Sequence, residues 1–200
     1  MSNYTTPIKR KYLNESEVVA ILSALSKGRN SERNTCIAYL CFIHGFRVSE
    51  VCNLRLSDVN LIDKNIFVRR LKNGFTTTHP LLDEEVKILD RWLNIREKLA
   101  SSASDWLFLS RGKNRISRQQ LHSIISRAGR DAGLMISIHP HMLRHSCGFA
   151  LANIGIDTRL IQDYLGHKNI RHTVWYTASN PDRFHGIWKV SQRKYITALY

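Results

Sequence analysis

The sequence predicts a mainly helical α+β domain with a small antiparallel sheet, and three observations lead there. Apolar residues recur at three- and four-residue intervals through most of the chain, in runs bracketed by capping residues. One stretch, residues 65–82, breaks that rhythm with β-branched and alternating residues around Lys72-Asn73-Gly74-Phe75. Hydrophobic residues make up 43% of the 200, enough for one packed core.

Taken in order, residues 1–10 carry no periodic pattern and read as a flexible basic arm. Asn14, followed by Glu15 and Glu17, forms an N-cap with acidic first-turn residues, and Val18, Ile21, Leu22 and Leu25 make a stripe that stops near Gly28. A second helix runs from Ser31 to His44 and ends at Gly45, which suits the left-handed C-cap. Arg47 then starts a short following helix, where its guanidinium and the helix N-terminal amides can face one phosphate. Residues Ile66–Leu71 and Thr76–Thr78 form a hairpin with Lys72 at its turn. Helical patterns resume over 83–99, 117–132, 140–154, 157–165 and 170–178. Asn180 and Pro181 open a last helix, with Phe184, Trp188, Tyr195 and Leu199 near one face. The expected organisation is an arm (1–10), one domain (11–180) and a C-terminal helix (181–200), without internal repeats.

An excess of 30 Lys and Arg over 16 Asp and Glu gives a formal charge of +14, which calls for a polyanionic partner, nucleic acid first. Cys36, Cys41, Cys52 and Cys147 sit in apolar stretches without a CxxC pair, so they read as buried thiols rather than a zinc site or disulfide framework. The polar N-terminus and the lack of any bilayer-length apolar run predict a cytosolic, reduced protein without a membrane partner.

Chemistry concentrates in His139-Pro140-His141-Met142-Leu143-Arg144-His145, in Leu165-Gly166-His167 and at Tyr176. His141 and Arg144, three apart on a helix begun by Pro140, point to one side. Planar guanidiniums match two phosphate oxygens at once, so Arg47 and Arg144 can clamp an anionic phosphodiester while it is attacked. A phenol with an ordinary pKa near 10 needs a proton acceptor, and a histidine near 6.5 suits the task. His141 is the first candidate for Tyr176, with His139, His145 and His172 as local alternatives without an assigned role. Glu50, three residues after Arg47, is either a brace for a catalytic arginine or histidine or an exposed helical acid. Trp175 reads as a packing residue.

In chain order, arginine, lysine, His-x-x-Arg, histidine and tyrosine (Arg47, Lys72, His141, Arg144, His167, Tyr176) resemble the pattern of the tyrosine recombinase (phage integrase) family. The wording Cys41-Phe42-Ile43-His44-Gly45, Thr77-Thr78-His79-Pro80-Leu81 and Gly166 to Asn180 is similar to its short fimbrial phase-variation members, and the likeness runs from about Lys11 to Trp188. The resemblance implies a tyrosine recombinase catalytic domain that forms a 3′-phosphotyrosyl bond, with His167 on a phosphate oxygen and Lys72 protonating the departing 5′ hydroxyl. It implies no nucleotide cofactor and no metal. It further implies double-stranded DNA with inverted-repeat half-sites, a tetramer on DNA, a C-terminal segment docked on a neighbouring protomer, where the apolar pattern by itself fits equally a helix packed on its own domain, and DNA-bending accessory proteins. The subgroup inverts DNA to switch fimbrial expression. A type IB topoisomerase, with the same nucleophile and clamp, and a catalytically silent DNA-binding regulator are the alternatives. Most members of the family carry an N-terminal helical DNA-binding domain; the expectation here is a chain that begins almost at the catalytic domain, as in the fimbrial subgroup.

Overall fold

Asn14 starts helix α1 (Glu15–Ser26): its side chain accepts the Glu17 N–H while the Glu17 carboxylate accepts the Asn14 N–H. This computed structural model describes residues 10–70, 76–99 and 104–178. The buried stripe of Val18, Ile21 and Leu25 packs α1 against α2 (Ser31–Ile43) and α5 (Arg118–Asp131). After α2, Gly45 adopts φ +58°, and a Cβ there would lie 2.3 Å from Leu165 Cδ2. Both the left-handed backbone and the close approach of Leu165 therefore require glycine. That reversal delivers Arg47 to the N-cap of α3 (Val48–Cys52).

The sheet has the antiparallel order β1 (Val59–Asn60), β2 (Asn65–Val68), β3 (Thr77–Pro80), with Ile66 opposite His79 and Val68 opposite Thr77. The expected hairpin is present, its second strand reaching Pro80 rather than stopping at Thr78. Strand β1 is too short to show alternation in the sequence. Lys72 of the expected turn, the expected arm through residue 9 and the expected C-terminal helix with Phe184, Trp188 and Leu199 lie outside the described residues.

Helices α4 (Asp83–Leu99), α5, α6 (Pro140–Asn153), α7 (Thr158–Leu165) and α8 (Arg171–Ala178) fall where the periodicity placed them, within a residue or so. The main core gathers Ile21, Ile37, Leu40, Ile66, Leu89, Leu107, Leu121 and Ile125 from α1, α2, the sheet, α4, the segment before α5 and α5 itself. Each such side chain contributes roughly 1.5–3 kcal/mol by leaving water. A second, smaller cluster joins α6, α7 and α8 through Cys147, Phe149, Ala152, Ile161, Leu165 and Tyr176. A tyrosine with chemical promise is thus also a core residue. All four cysteines are free and buried. Among the described residues, no helix is long and apolar enough to cross a membrane.

Candidate active site

Glu50 organises the cationic half of the site. Its Oε1 lies 2.6 Å from Arg47 Nη1, its Oε2 lies 2.9 Å from Arg70 Nη1 and 3.9 Å from Arg144 Nη1, and Oε2 also accepts the Arg47 N–H. Burial pushes the carboxyl pKa up, but Arg70 and then Arg47 outweigh it, so Glu50 sits below the usual carboxylate range and stays ionised. One carboxylate facing three guanidiniums leaves a local excess of positive charge, the condition for holding an anion.

The arginines also hold the backbone around them. Arg144, buried on α6, donates to the carbonyls of Gly45 and Leu165, the latter at 2.7 Å, and Arg47 reaches the Gly166 carbonyl at 3.3 Å. Burial, then Arg47 and Arg70, lowers the Arg144 pKa to about 9, which still leaves it charged at neutral pH. These bonds draw together the turn before Arg47 and the end of α7, where Gly166 takes φ +64°. The next residue, His167, is held by its N–H to the Gln162 carbonyl and by Nδ1, 2.9 Å from the buried Thr173 hydroxyl. Burial, then Arg144 and Arg47, depresses the His167 pKa to about 3, so the ring is neutral.

Tyr176 arrives from α8 and is almost fully buried, at 1% exposure. Its ring lies nearly parallel to His167, with centroids 6.1 Å apart, and edge-on to Phe149. Gly148 admits it: a Cβ at that position would stand 2.6–2.9 Å from the tyrosine ring. The hydroxyl lies 2.9 Å from Nδ1 of His145. Burial is the main cause of a Tyr176 pKa raised to about 12, against the opposing pull of Arg144. The same burial, with His141 and Arg144, lowers His145 to about 4. A protonated phenol therefore meets a neutral imidazole.

Two catalytic arginine candidates, a histidine and a tyrosine thus converge from α3, α6, the α7 end and α8, and a model of the phage integrase family matches residues 11–183. The chain belongs to the phage integrase family. This integrase is 60% identical over 188 residues to the type 1 fimbriae regulatory protein FimB of Escherichia coli K12, with 94% of each chain covered. FimE of the same strain is 49% identical over 182 residues, covering 90% of this chain and 92% of FimE. Among solved structures, the XerA recombinase matches with a TM-score of 0.79 at 31% identity, over 93% of this chain and 66% of that one. The post-cleavage complex of the XerH site-specific recombinase on a palindromic difH substrate matches with a TM-score of 0.76 at 25% identity, over 89% and 53%. The integrase thus spans two thirds or less of those two recombinase chains.

Within this integrase, Arg47, Arg144, His167, Tyr176 and Glu50 come together. His141 lies on the outer side, exposed, lining a groove of about 890 Å³ with Arg47, Arg118, His122 and Arg130. Burial, His139 and Arg144 lower its pKa. Lys72 lies outside the described residues. In this structure the phenol meets His145 rather than His141, because His145 follows Arg144 on the flank of α6 that leads to Gly148. Spacing alone does not choose between the two histidines, since 141, 144, 145 and 148 share a helix face. Arg70, within the Ile66–Leu71 stretch, is wholly buried in side chain and bound to Glu50.

Proposed function

We propose that this integrase is a tyrosine-type site-specific DNA recombinase that inverts a DNA segment controlling fimbrial expression, with Tyr176 as nucleophile. The observation that carries the reading is the convergence of Arg47, Arg144 and His167 around Tyr176, with Glu50 outnumbered by guanidiniums. The Tyr176 hydroxyl gives its proton to Nδ1 of His145 as its oxygen attacks the scissile phosphorus, the bond to the 5′ oxygen breaks, and a 3′-phosphotyrosyl link preserves the ester for religation by a partner strand. Arg47 and Arg144 neutralise charge on the non-bridging oxygens. A Thr173 hydroxyl donating to Nδ1 of His167 leaves Nε2 to donate to one of those oxygens. His145 holds the phenol, His141 faces the phosphate from the groove, and Lys72 supplies the proton to the leaving 5′ oxygen. Glu50 braces the arginines.

Duplex DNA fits the groove. Arg118, His122 and Arg130 are exposed on α5 and line the groove, on the flank beside the buried Leu121, Ile125 and Ala128. Phosphate contacts from that stripe would lead the backbone to Arg47 and His141. The fimbrial target follows from FimB and FimE, whose names place them in regulation of type 1 fimbriae. Working partners are inverted-repeat half-sites, three further copies of the chain joined through residues 181–200, and DNA-bending accessory proteins. The protein acts in the cytoplasm at the nucleoid.

The test is a duplex carrying the inverted repeat of a fimbrial switch, nicked beside the target phosphate so that cleavage cannot reverse. The wild-type protein accumulates a denaturant-resistant protein–DNA adduct and Tyr176→Phe does not, while both bind the duplex. Absence of an adduct from the wild type would sink the recombinase reading and leave a silent DNA-binding regulator.

A further inference from the structure

Two buried histidines join Arg70 in the interior beside Arg47 and Arg144. His44 closes α2, and His79 projects inward from β3; their Nδ1 atoms are 3.2 Å apart, and both rings are buried. On its far side His44 Nε2 stands 2.8 Å from Glu85 Oε1 of α4, and His79 Nε2 lies 2.9 Å from the Thr77 hydroxyl. Along this row Thr77 can donate to His79 and His79 to His44, while His44 Nε2 faces the Glu85 carboxylate. His79 also stacks on Tyr164 of α7, with centroids 4.1 Å apart. Arg70, just beyond β2, reaches the same two residues from the other side, donating to the carbonyls of His44 and Tyr164 while pairing with Glu50. Its side chain passes under Gly166, where a Cβ would lie 2.9 Å away.

Both halves of the hairpin therefore converge on His44 and Tyr164. Those residues adjoin the carbonyls that the clamp binds: Gly45 follows His44, and Leu165 and Gly166 follow Tyr164. We propose that Arg70 and His79 are positioning residues for the phosphate clamp, stapling the sheet to the turn before Arg47 and to the end of α7 so that Arg47, Arg144 and His167 are held in one frame. Neither touches the reacting atoms. Arg70 acts through Glu50 and two backbone carbonyls, and His79 acts through the His44 and Tyr164 rings.

The inference rests on the reading of Arg47 and Arg144 as the clamp, and the test separates the two. Cleavage is measured in single turnover on two nicked duplexes, one with an ordinary scissile phosphodiester and one with a methylphosphonate there. The methylphosphonate lacks the negative charge that the clamp neutralises, yet the same bonds form and break. Arg144→Ala serves as the control for the clamp, and Arg70→Lys and His79→Gln as the staple variants, with melting curves taken on each. On the phosphodiester the staple variants slow cleavage roughly tenfold to a hundredfold, the scale of a small misplacement of catalytic groups. On the methylphosphonate their deficit, like that of Arg144→Ala, shrinks at least tenfold. If Arg144→Ala is equally slow on both duplexes, the clamp reading fails. If Arg144→Ala recovers but the staple variants stay equally slow on both, or are never slow, the positioning role is overturned. Should Arg70→Lys melt below the assay temperature, His79→Gln decides alone; unfolding of both would make the staple a stability element and end the proposal.

Discussion

The hydroxyl of Tyr176 lies 2.9 Å from Nδ1 of His145, so the residue beside Arg144, and not His141, is the phenol's hydrogen-bond partner in this structure. The consequence is a division of labour along one helix face. His141 looks outward to the groove, Arg144 ties the backbone, and His145 holds the tyrosine.

That division predicts different phenotypes for two histidines four residues apart. His141→Ala removes an exposed side chain, so stability should change by less than about 0.5 kcal/mol while cleavage slows tenfold or more, if the ring meets the phosphate. His145→Ala leaves the buried phenol without its partner and should cost about 1–3 kcal/mol. Paired melting curves and single-turnover cleavage check this, and equal destabilisation by both changes would contradict it.

Acid sensitivity follows from the same burial. An ordinary histidine takes its proton near pH 6.5, whereas burial holds His145 to about 4, and His79 and His167 to about 3. As pH falls, the unfolded chain binds these protons first, so the stability is whole above about 6.5 and is lost progressively toward 4 and below. The melting temperature should drop across that window, less steeply in His145→Ala. A flat profile from pH 6.5 to 4 would show that these rings are not buried neutral.

Arg47 and Arg144 should be equivalent for chemistry but not for folding. Either alanine variant should slow cleavage about a hundredfold or more, by analogy with loss of one oxyanion donor. Arg144 is 4% exposed and satisfies the Gly45 and Leu165 carbonyls, whereas the Arg47 side chain is 26% exposed. Arg144→Ala should therefore also cost stability, about 1–3 kcal/mol for orphaned buried acceptors. Calorimetry showing equal melting temperatures would refute the asymmetry.

Gly148 offers a steric test of the tyrosine's seat. An alanine there would place Cβ 2.6–2.9 Å from the Tyr176 ring, forcing the ring aside, whereas at Gly112 the nearest atoms are 3.9–4.0 Å away. Gly148→Ala should destabilise by about 1–3 kcal/mol as an overpacked site, and Gly112→Ala hardly at all. Matching melts for the two variants would mean that Tyr176 does not occupy this pocket in solution.

In the proposed mechanism Arg47 and Arg144 supply what two-metal enzymes draw from ions, so cleavage and religation should continue in excess chelator. Loss of activity on chelation, restored by magnesium, would overturn that division of roles.

The sequence by itself determined the elements and the order of the chemistry. Caps such as Asn14 and Pro140, the Gly45 reversal and apolar stripes act over a few residues, so α1 through α8 and the placement of Arg47 at a helix start were legible locally. Whole motifs in family order gave the recombinase resemblance before any geometry. Tertiary structure decided which of several similar side chains meet. His44 and His79 are 35 positions apart, and Arg70 and Tyr164 are 94 apart; only the packing of the sheet against α2 and α7 brings them within hydrogen-bond reach. Likewise, choosing His145 over His141 for Tyr176 depended on how α8 crosses α6 at Gly148, a contact set by the shape of the second core rather than by any local pattern.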